Sequence, residues 1–558
     1  MLRDAVQMEI FANRLLAVTE EMGAQLVRSS FSPNIKERRD CSVALFNLQG
    51  QVIAQAAHIP IHLGSLLGAV EGVLNFYPVS TMKCGDAFVC NDAYLAGGTH
   101  LPDIAIVTPI FVAGEVRYFA ANLGHHADVG GPTPGSISHA AESIFSEGIR
   151  IPPTRIGTGG IVDEGILRLL AHNTREPEER MLDLRVQMAT NEAGAEKVVA
   201  LEQRLGREQM GNAVSDLLRY TTTRVKHRIL GLKDGQYTHT TFMDHDGLGG
   251  DRVPITATVI VDGDALSLDF AGTGAQSRGG FNVMPSGVLA TVAYALKALL
   301  DPELPANSGL FDAFNLSVPA GSILNPHFPA AVGARTTTCQ KLAGAIFGAF
   351  QGVLPPELAM AASHDVLAAM VFSGRRRDSG RAYVYLETVG GGNGARQNSD
   401  GMDGAHVHIT NSLNMPIEAV ELEFPLRVEE YALVPDSGGA GAQRGGLGIA
   451  REVRILDEDT VFSARADSFL TRAEGVQGGL PGSHARVVLN RGSNREQVVE
   501  PKQSGLRLTA GDTVRVETPG GAGLGQPASR NLEALAADVA DGKVSAAAAK
   551  EVYGLRLD

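Results

Sequence analysis

The stretch Gly97-Gly-Thr-His100-Leu-Pro-Asp103-Ile-Ala-Ile-Val-Thr-Pro-Ile-Phe111 passes through Ala113-Gly114 into Val116-Arg-Tyr-Phe-Ala-Ala-Asn122 and ends on Gly124-His125-His126-Ala-Asp128. Two β-favouring runs about a glycine-containing tip predict a hairpin, with Pro109 placing its strand at an edge or bulge. An antiparallel hairpin returns its outer ends to one place, so His100, Asp103 and His125 should meet. Counting outward from the tip puts Asp103 opposite about Gly124. Imidazole and carboxylate suit Zn, Mn and Fe ions, and the flanking glycines let donors converge. The pattern therefore predicts a metal site, and the competing reading is a hydrogen-bonded histidine cluster closing the hairpin.

Upstream, Cys41–Phe46 and Gln51–Ala56 flank Asn47-Leu-Gln-Gly50 and predict another hairpin. Asp40 just precedes it and His58 just follows it, so the same geometry brings them together. Asp40 is a candidate fourth ligand or general base, and the alternative is an ion pair with Lys36, Arg38 or Arg39. His62 would share a face with His58 only if the segment were helical, which Pro60 disfavours. Both histidines are read as pocket lining and as proton-transfer candidates.

Outward from these hairpins, Phe11, Leu15, Val18, Met22 and Leu26 recur at helical spacing within 5–29. Residues 161–234 read as mostly helical, their charged run taken as a solvated bundle or crossover face. Strands are expected within 237–275 and helices at 286–301 and 341–353. Glycine- and strand-rich sequence follows from about 380, and two short helices split by Asp541-Gly542 close the chain. The expectation is a mixed α/β (α+β) protein of several subdomains. Its regions are 1–235 with the metal site, 236–380 of mixed strand and helix, 381–527 rich in glycine and strand, and a helical tail at 528–558.

Composition narrows function. With 48 Lys and Arg against 62 Asp and Glu, the net charge is −14, and no basic run offsets it, which disfavours nucleic-acid binding. Glycine fills 65 of 558 positions, above the usual ~7%, so function is expected in loops. Charges at Asp4, Glu9 and Arg14 interrupt the first apolar stretch, and Gly279–Leu296 carries Asn282 and Pro285. Neither an export signal nor a membrane span is expected. Cys41, Cys84, Cys90 and Cys339 form no C-x-x-C pair, which suits reducing cytoplasm. Cys339 is a candidate nucleophile against the commoner reading of a buried, inert thiol. Asp436-Ser-Gly-Gly reads as a turn. The Gly542-Lys543 pair runs into Val544 and lacks the spacing of a phosphate loop.

The segments Ser32-Pro-Asn-Ile-Lys-Glu-Arg38, Ala57-His-Ile-Pro-Ile-His-Leu-Gly64, Gly97–Asp103, His125-His-Ala-Asp-Val-Gly-Gly131 and Asp436-Ser-Gly-Gly-Ala-Gly441 together resemble the hydantoinase B family. The resemblance runs from about residue 5 to Thr518-Pro-Gly-Gly-Ala-Gly523 and on into the tail. It implies the B component of ATP-dependent hydantoinases and oxoprolinases. A hydantoinase A-type partner binds ATP and phosphorylates the substrate's amide or enolised carbonyl oxygen, and the B component completes the reaction. It also implies a divalent ion, Zn or Mn foremost, on His100, Asp103 and His125, with an acidic group at Asp40 close by. Opening of a hydantoin or lactam ring by activated water is the implied chemistry, with Asp40, His126 or His58 moving the proton. Related ketone carboxylases of the acetone carboxylase type are the alternative, although their corresponding chain is longer. A partner-dependent scaffold without its own site would not need the His100, Asp103 and His125 set. Cys41 stands after Asp40 where an aromatic residue is common, and Ala93 where a proline is frequent, so the substrate's shape stays open.

Overall fold

The computed structural model describes residues 5–555 except 57 and 501. The chain opens with α1 (Ala5–Ser29), a single turn α2 (Pro33–Lys36), and the hairpin β1 (Cys41–Asn47) and β2 (Val52–Gln55). Next come α3 (His62–Phe76), β3 (Ala87–Cys90), β4 (Asp103–Val112), β5 (Glu115–His125), β6 (Thr154–Thr158) and β7 (Ile161–Val162). These seven strands form one sheet in the order β2-β1-β5-β4-β3-β6-β7, antiparallel throughout. Helices α4 (Glu164–Ala171), α5 (Pro177–Leu205) and α6 (Arg207–Ile229) follow.

Both faces of the sheet are covered, so its strands read as nearly continuous apolar runs. Val43, Leu45 and Ile53 pack with Phe11, Leu15 and Leu26 of α1 and Leu217 of α6. Ala44, Phe46, Val107 and Phe119 pack with Leu66, Val70 and Val73 of α3. Leu15 and Leu26 are fully buried, each worth roughly 1.5–3 kcal/mol of hydrophobic stabilisation.

The alternation of side chains along a strand then decides which way the site residues point. Ala44, Ala105 and Leu123 face α3, so Asp40, Asp103 and His125, an even number of residues away, start from that face too. His126 falls on the other side and meets α5. The 161–234 segment is helical as expected, but α5 is more than a solvated face. Arg180, Asp183, Gln187 and Asn191 form a buried polar stripe along it. Gln187 Nε2 and Asn191 Nδ2 donate to the carbonyls of Ile104 and Ile106 at 2.9 Å each.

Pro109 lies in an interior strand rather than an edge strand. It is tolerated because β3 pairs only with Ala105–Val107, and a register shift follows at Ile110/Phe111. That shift also moves the pairing by one residue from the count along the hairpin: Asp103 faces His125, and Ile104 faces Gly124.

Beyond this layer, β8 (Gly235–Met243), β9 (Val253–Asp262), β10 (Ala265–Asp269), α7 (Pro285–Leu300), β11 (Asn315–Ser317) and α8 (Arg335–Phe350) share a second core. Helix α8 starts six residues before the expected 341, taking in Arg335 and Thr336–Thr338. The glycine-rich part contains β12 (Ala368–Arg375), β13 (Ala382–Val389), α9 (Ile417–Glu423), β14 (Leu426–Leu433), β15 (Ile449–Ile455) and β16 (Thr460–Arg465). It continues with β17 (Arg486–Leu489), β18 (Gln497–Val498), β19 (Lys502–Leu508) and β20 (Thr513–Glu517), and α10 (Leu532–Ala540) and α11 (Ala546–Glu551) follow. Its two sheets, β13-β12-β16-β19 and β14-β15-β20-β17-β18, enclose a third core around Phe372, Tyr385 and Phe462. Among the described residues no helix is long and apolar enough to cross a membrane.

Helix α3 and the loop carrying His100 touch backbone to backbone. A Cβ on Gly68 would stand 2.5 Å from Gly97 Cα, and Gly97 itself has φ +57°. Neither atom is the tip of a flexible side chain, so Gly68→Ala should cost about 1–3 kcal/mol through overpacking. Urea unfolding of Gly68→Ala measures that loss, and an unchanged midpoint would show that the contact is not tight.

Candidate metal centre

His100, Asp103 and His125 each place a donor atom within 4.8 Å of the others, and all three residues are buried. The loop after β3 supplies His100, while the paired ends of β4 and β5 supply Asp103 and His125. The rings of His100 and His125 meet edge to face at 5.0 Å. His100 Nε2 lies 3.0 Å from Asp103 Oδ1. Yet His100 Nε2, Asp103 Oδ1 and His125 Nδ1 are all buried without an aligned hydrogen-bond partner. Three buried atoms without aligned partners, on residues whose donor atoms come within 4.8 Å of one another, are costly unless something binds them. A divalent cation fits that donor set.

The remaining atoms of these groups are anchored. His100 Nδ1 is 3.0 Å from the Gly333 carbonyl, a contact that puts the ring proton on Nδ1 and leaves Nε2 as the free lone pair. Asp103 Oδ2 accepts from Arg335 Nη2 at 2.6 Å and from Thr99 Oγ1 at 3.2 Å. One carboxylate oxygen is thus held by protein and the other is left free. The Gly333 peptide N–H donates to Glu147 Oε1 at 2.6 Å, so the loop that fixes His100 is itself tied down.

Electrostatics keep the donors in ligand form. Burial, followed by the Arg335 charge, brings His100 down to about 4. Burial and the neighbouring His100, Arg38 and Arg335 hold His125 well below the usual imidazole range. Burial opposes ionisation of Asp103, but His100, Arg335 and His62 hold its carboxyl well below the usual carboxylate range. Two neutral imidazoles and a carboxylate are the protonation states that metal binding requires.

Asp40 stands beside this set. Its backbone carbonyl accepts from His125 N at 2.9 Å, and its carboxylate lies 3.8 Å from Arg38 Nη2. The ion pair weighed from the sequence is therefore present as a loose one. Burial pushes Asp40 upward, with Arg38 and His62 opposing. His62, rather than His58, links Asp40 to the cluster. Pro60 does not prevent a helix two residues later: α3 starts at His62. Its Nε2 is 3.6 Å from Asp40 Oδ1 and 3.7 Å from Asp103 Oδ1, while its Nδ1 is 3.1 Å from Ser42 Oγ. His58 lines a large cavity instead. His126 has both ring nitrogens engaged, by Arg180 Nη1 and Gln187 Oε1 at 3.0 Å each, and burial with the Arg180 charge lowers it to about 4.

Cys339 is wholly buried in α8 and pushed up to about 11 by burial, so it carries no thiolate at neutral pH. Ser437 donates to the Val434 carbonyl at 2.6 Å and accepts from Gly448 N, the bonding of a turn residue. Reading by local motif misses Arg335, 232 positions from Asp103 in the chain. One signal is available: a cation in the first turn of an apolar helix opposes the helix dipole, so a buried Arg there implies an acidic partner.

This α/β architecture recurs in known proteins. The sequence model of the hydantoinase B/oxoprolinase family matches residues 4–527, and the chain belongs to that family of hydantoinase- and oxoprolinase-like enzymes. An uncharacterised protein of Methanocaldococcus jannaschii is 34% identical over 99% of this chain and 96% of its own length. A Pseudomonas protein named for the B component of a D-/L-hydantoinase is 29% identical, covering 99% of this chain and 95% of that protein. 5-Oxoprolinase 1 of Arabidopsis thaliana is 31% identical over 94% of this chain, which spans only 42% of that longer protein. The crystal structure of an ATP-dependent caprolactamase from Pseudomonas jessenii superposes with a TM-score of 0.92 at 26% identity, covering 100% of this chain and 97% of that one. An acetone carboxylase chain shares the fold, with a TM-score of 0.89 at 20% identity over 100% of this chain and 80% of that one.

Removing Arg335 leaves Asp103 buried without the guanidinium that holds its Oδ2. Arg335→Met should therefore destabilise the metal-free protein by about 3–5 kcal/mol, read by chemical unfolding. A loss below about 1 kcal/mol, the value of an exposed pair, would show that Arg335 does not hold Asp103.

Proposed function

We propose that this chain is the B component of an ATP-dependent cyclic amidase, opening a hydantoin or lactam ring after a separate A-type subunit has phosphorylated the amide oxygen. The observation that carries the reading is that buried His100, Asp103 and His125 bring donor atoms within 4.8 Å of one another, while His100 Nε2, Asp103 Oδ1 and His125 Nδ1 lack hydrogen-bond partners. Family membership supports it, as do relatives named as a hydantoinase B component and as an ATP-dependent caprolactamase. The match to less than half of a 5-oxoprolinase suits a division of labour between this region and another. Four free cysteines suit a cytoplasmic setting.

His100, Asp103 and His125 would hold a divalent ion, Zn or Mn, with Asp40 adjoining as a further ligand or as the base. When bound, the ion supplies Lewis acidity, polarising a substrate oxygen and lowering the pKa of water. Asp40 is the proton acceptor that suits the reaction best, because its buried carboxylate adjoins the ligand set and burial raises its pKa against the opposing charges of Arg38 and His62. His62 lies between Asp40 and Asp103 and orients both carboxylates. Arg38 donates to Asn34 Oδ1, the Leu386 carbonyl and Thr388 Oγ1, which fixes the wall behind Asp40. His126, held by Arg180 and Gln187, positions the end of β5 rather than moving protons. His58 stays a pocket-lining group on the cavity side.

The test uses the complex with its A-type partner, supplied with ATP and a series of cyclic amides. Asp40→Asn changes little in shape, so the variant should assemble normally while ring opening falls by at least about 100-fold. Undiminished ring opening would exclude Asp40 from the mechanism. Bicarbonate-dependent product from a ketone, without lactam turnover, would select the carboxylase chemistry instead.

A further inference from the structure

A cavity of about 920 Å³ opens beside α8, and none of His100, Asp103 and His125 lines it. Its wall carries a second histidine–carboxylate pair, His408 Nε2 to Asp365 Oδ1 at 2.6 Å, with both residues buried. Both also have left-handed backbones, φ +57° at His408 and +46° at Asp365. Such conformations cost roughly 1–2 kcal/mol each outside glycine and collect at functional sites. Helix α8 makes room for this wall: a Cβ on Gly344 would overlap the Asp365 carboxylate, and one on Gly348 would overlap the His239 ring.

The charge around the cavity is one-sided. Arg252, Arg396 and Arg472 line it as exposed residues and make no side-chain ion pair among the described residues. The carboxylates that line it are Asp365, already paired, and Glu474. Burial lowers His364 to about 3 and His406 to about 4, and Lys341 is engaged by Asp467 and Ser468, so the unpaired positive charge is that of the arginines. Among the lining residues, His58 Nδ1, His406 Nε2 and Asn393 Oδ1 are buried without hydrogen-bond partners. Their bonds remain to be made by something entering from outside.

We propose that this cavity is a second ligand site that takes a small organic anion, bearing a carboxylate or a phosphate, with Arg252, Arg396 and Arg472 meeting its charge. His58, His406 and Asn393 meet its polar groups, and the Asp365–His408 pair holds the wall against α8. A pocket of this size admits a metabolite-sized molecule, and a concave, one-signed surface concentrates counter-charged ligands. None of the proposed metal ligands lines this site, and the proposal does not depend on them.

Titration calorimetry of the full chain with inorganic phosphate, and separately with adipate, tests the proposal and tells the two anion types apart. At least one should bind with a Kd of about 1 mM or tighter. Arg396→Ala combined with Arg472→Ala should weaken that binding at least about tenfold, as loss of two nearby charges predicts. Arg377→Ala combined with Arg381→Ala removes the same charge from the exposed turn between β12 and β13, and should leave binding unchanged. The proposal is overturned if neither anion binds at about 10 mM, if the Arg396/Arg472 variant binds like the wild type, or if both double variants weaken binding equally.

Discussion

The pairing of Asp103 with His125 across the β4–β5 hairpin is the constraint on which the candidate centre rests. It sets one carboxylate and one imidazole on the α3 face of the sheet, at a strand end where a loop can bring His100 over them. The neighbouring strand adds Asp40 and Ser42 on the same face, and the first turn of α3 lowers His62 between the two carboxylates. A one-residue slip would turn Asp103 toward α5. The bulge at Ile110/Phe111 is thus part of the site, although it lies at the far end of the hairpin.

A second constraint is charge. Asp103 is buried, and its ionised form depends on Arg335 entering from α8 in a different core. The same α8 approach brings Gly333, whose carbonyl orients His100. The centre is therefore assembled between the first sheet and the second core and cannot be complete in either alone. This explains why its donors can be left without hydrogen bonds: the surrounding structure fixes them too firmly to collapse onto one another.

Local pattern carries much of this. Both hairpins, the long helical run and the closing helices follow from apolar periodicity and glycine-ended turns, because those features depend on near neighbours. His100, Asp103 and His125 can be singled out because an antiparallel hairpin brings its ends together whatever surrounds it. What escapes depends on tertiary placement. The helix-disfavouring effect of Pro60 argues against His62, yet Pro60 lies outside the helix, where that effect does not reach. His58 takes its place in the expectation because loop direction cannot be read from spacing. Arg335 and the polar stripe on α5 are invisible for a related reason: charged residues at helical spacing look alike whether they face water or a buried carbonyl. The proposed partner and ATP dependence rest on the family likeness, since no residue of this chain shows them by itself.

The claim that His100, Asp103 and His125 form a metal centre is tested most directly by anomalous diffraction from crystals of the chain loaded with Mn or Zn. The account predicts one strong anomalous peak bonded to His100 Nε2, Asp103 Oδ1 and His125 Nδ1 at roughly 2.0–2.2 Å, lost in His100→Ala. A peak at some other set of residues, or no ordered ion in crystals grown with saturating metal, would contradict it.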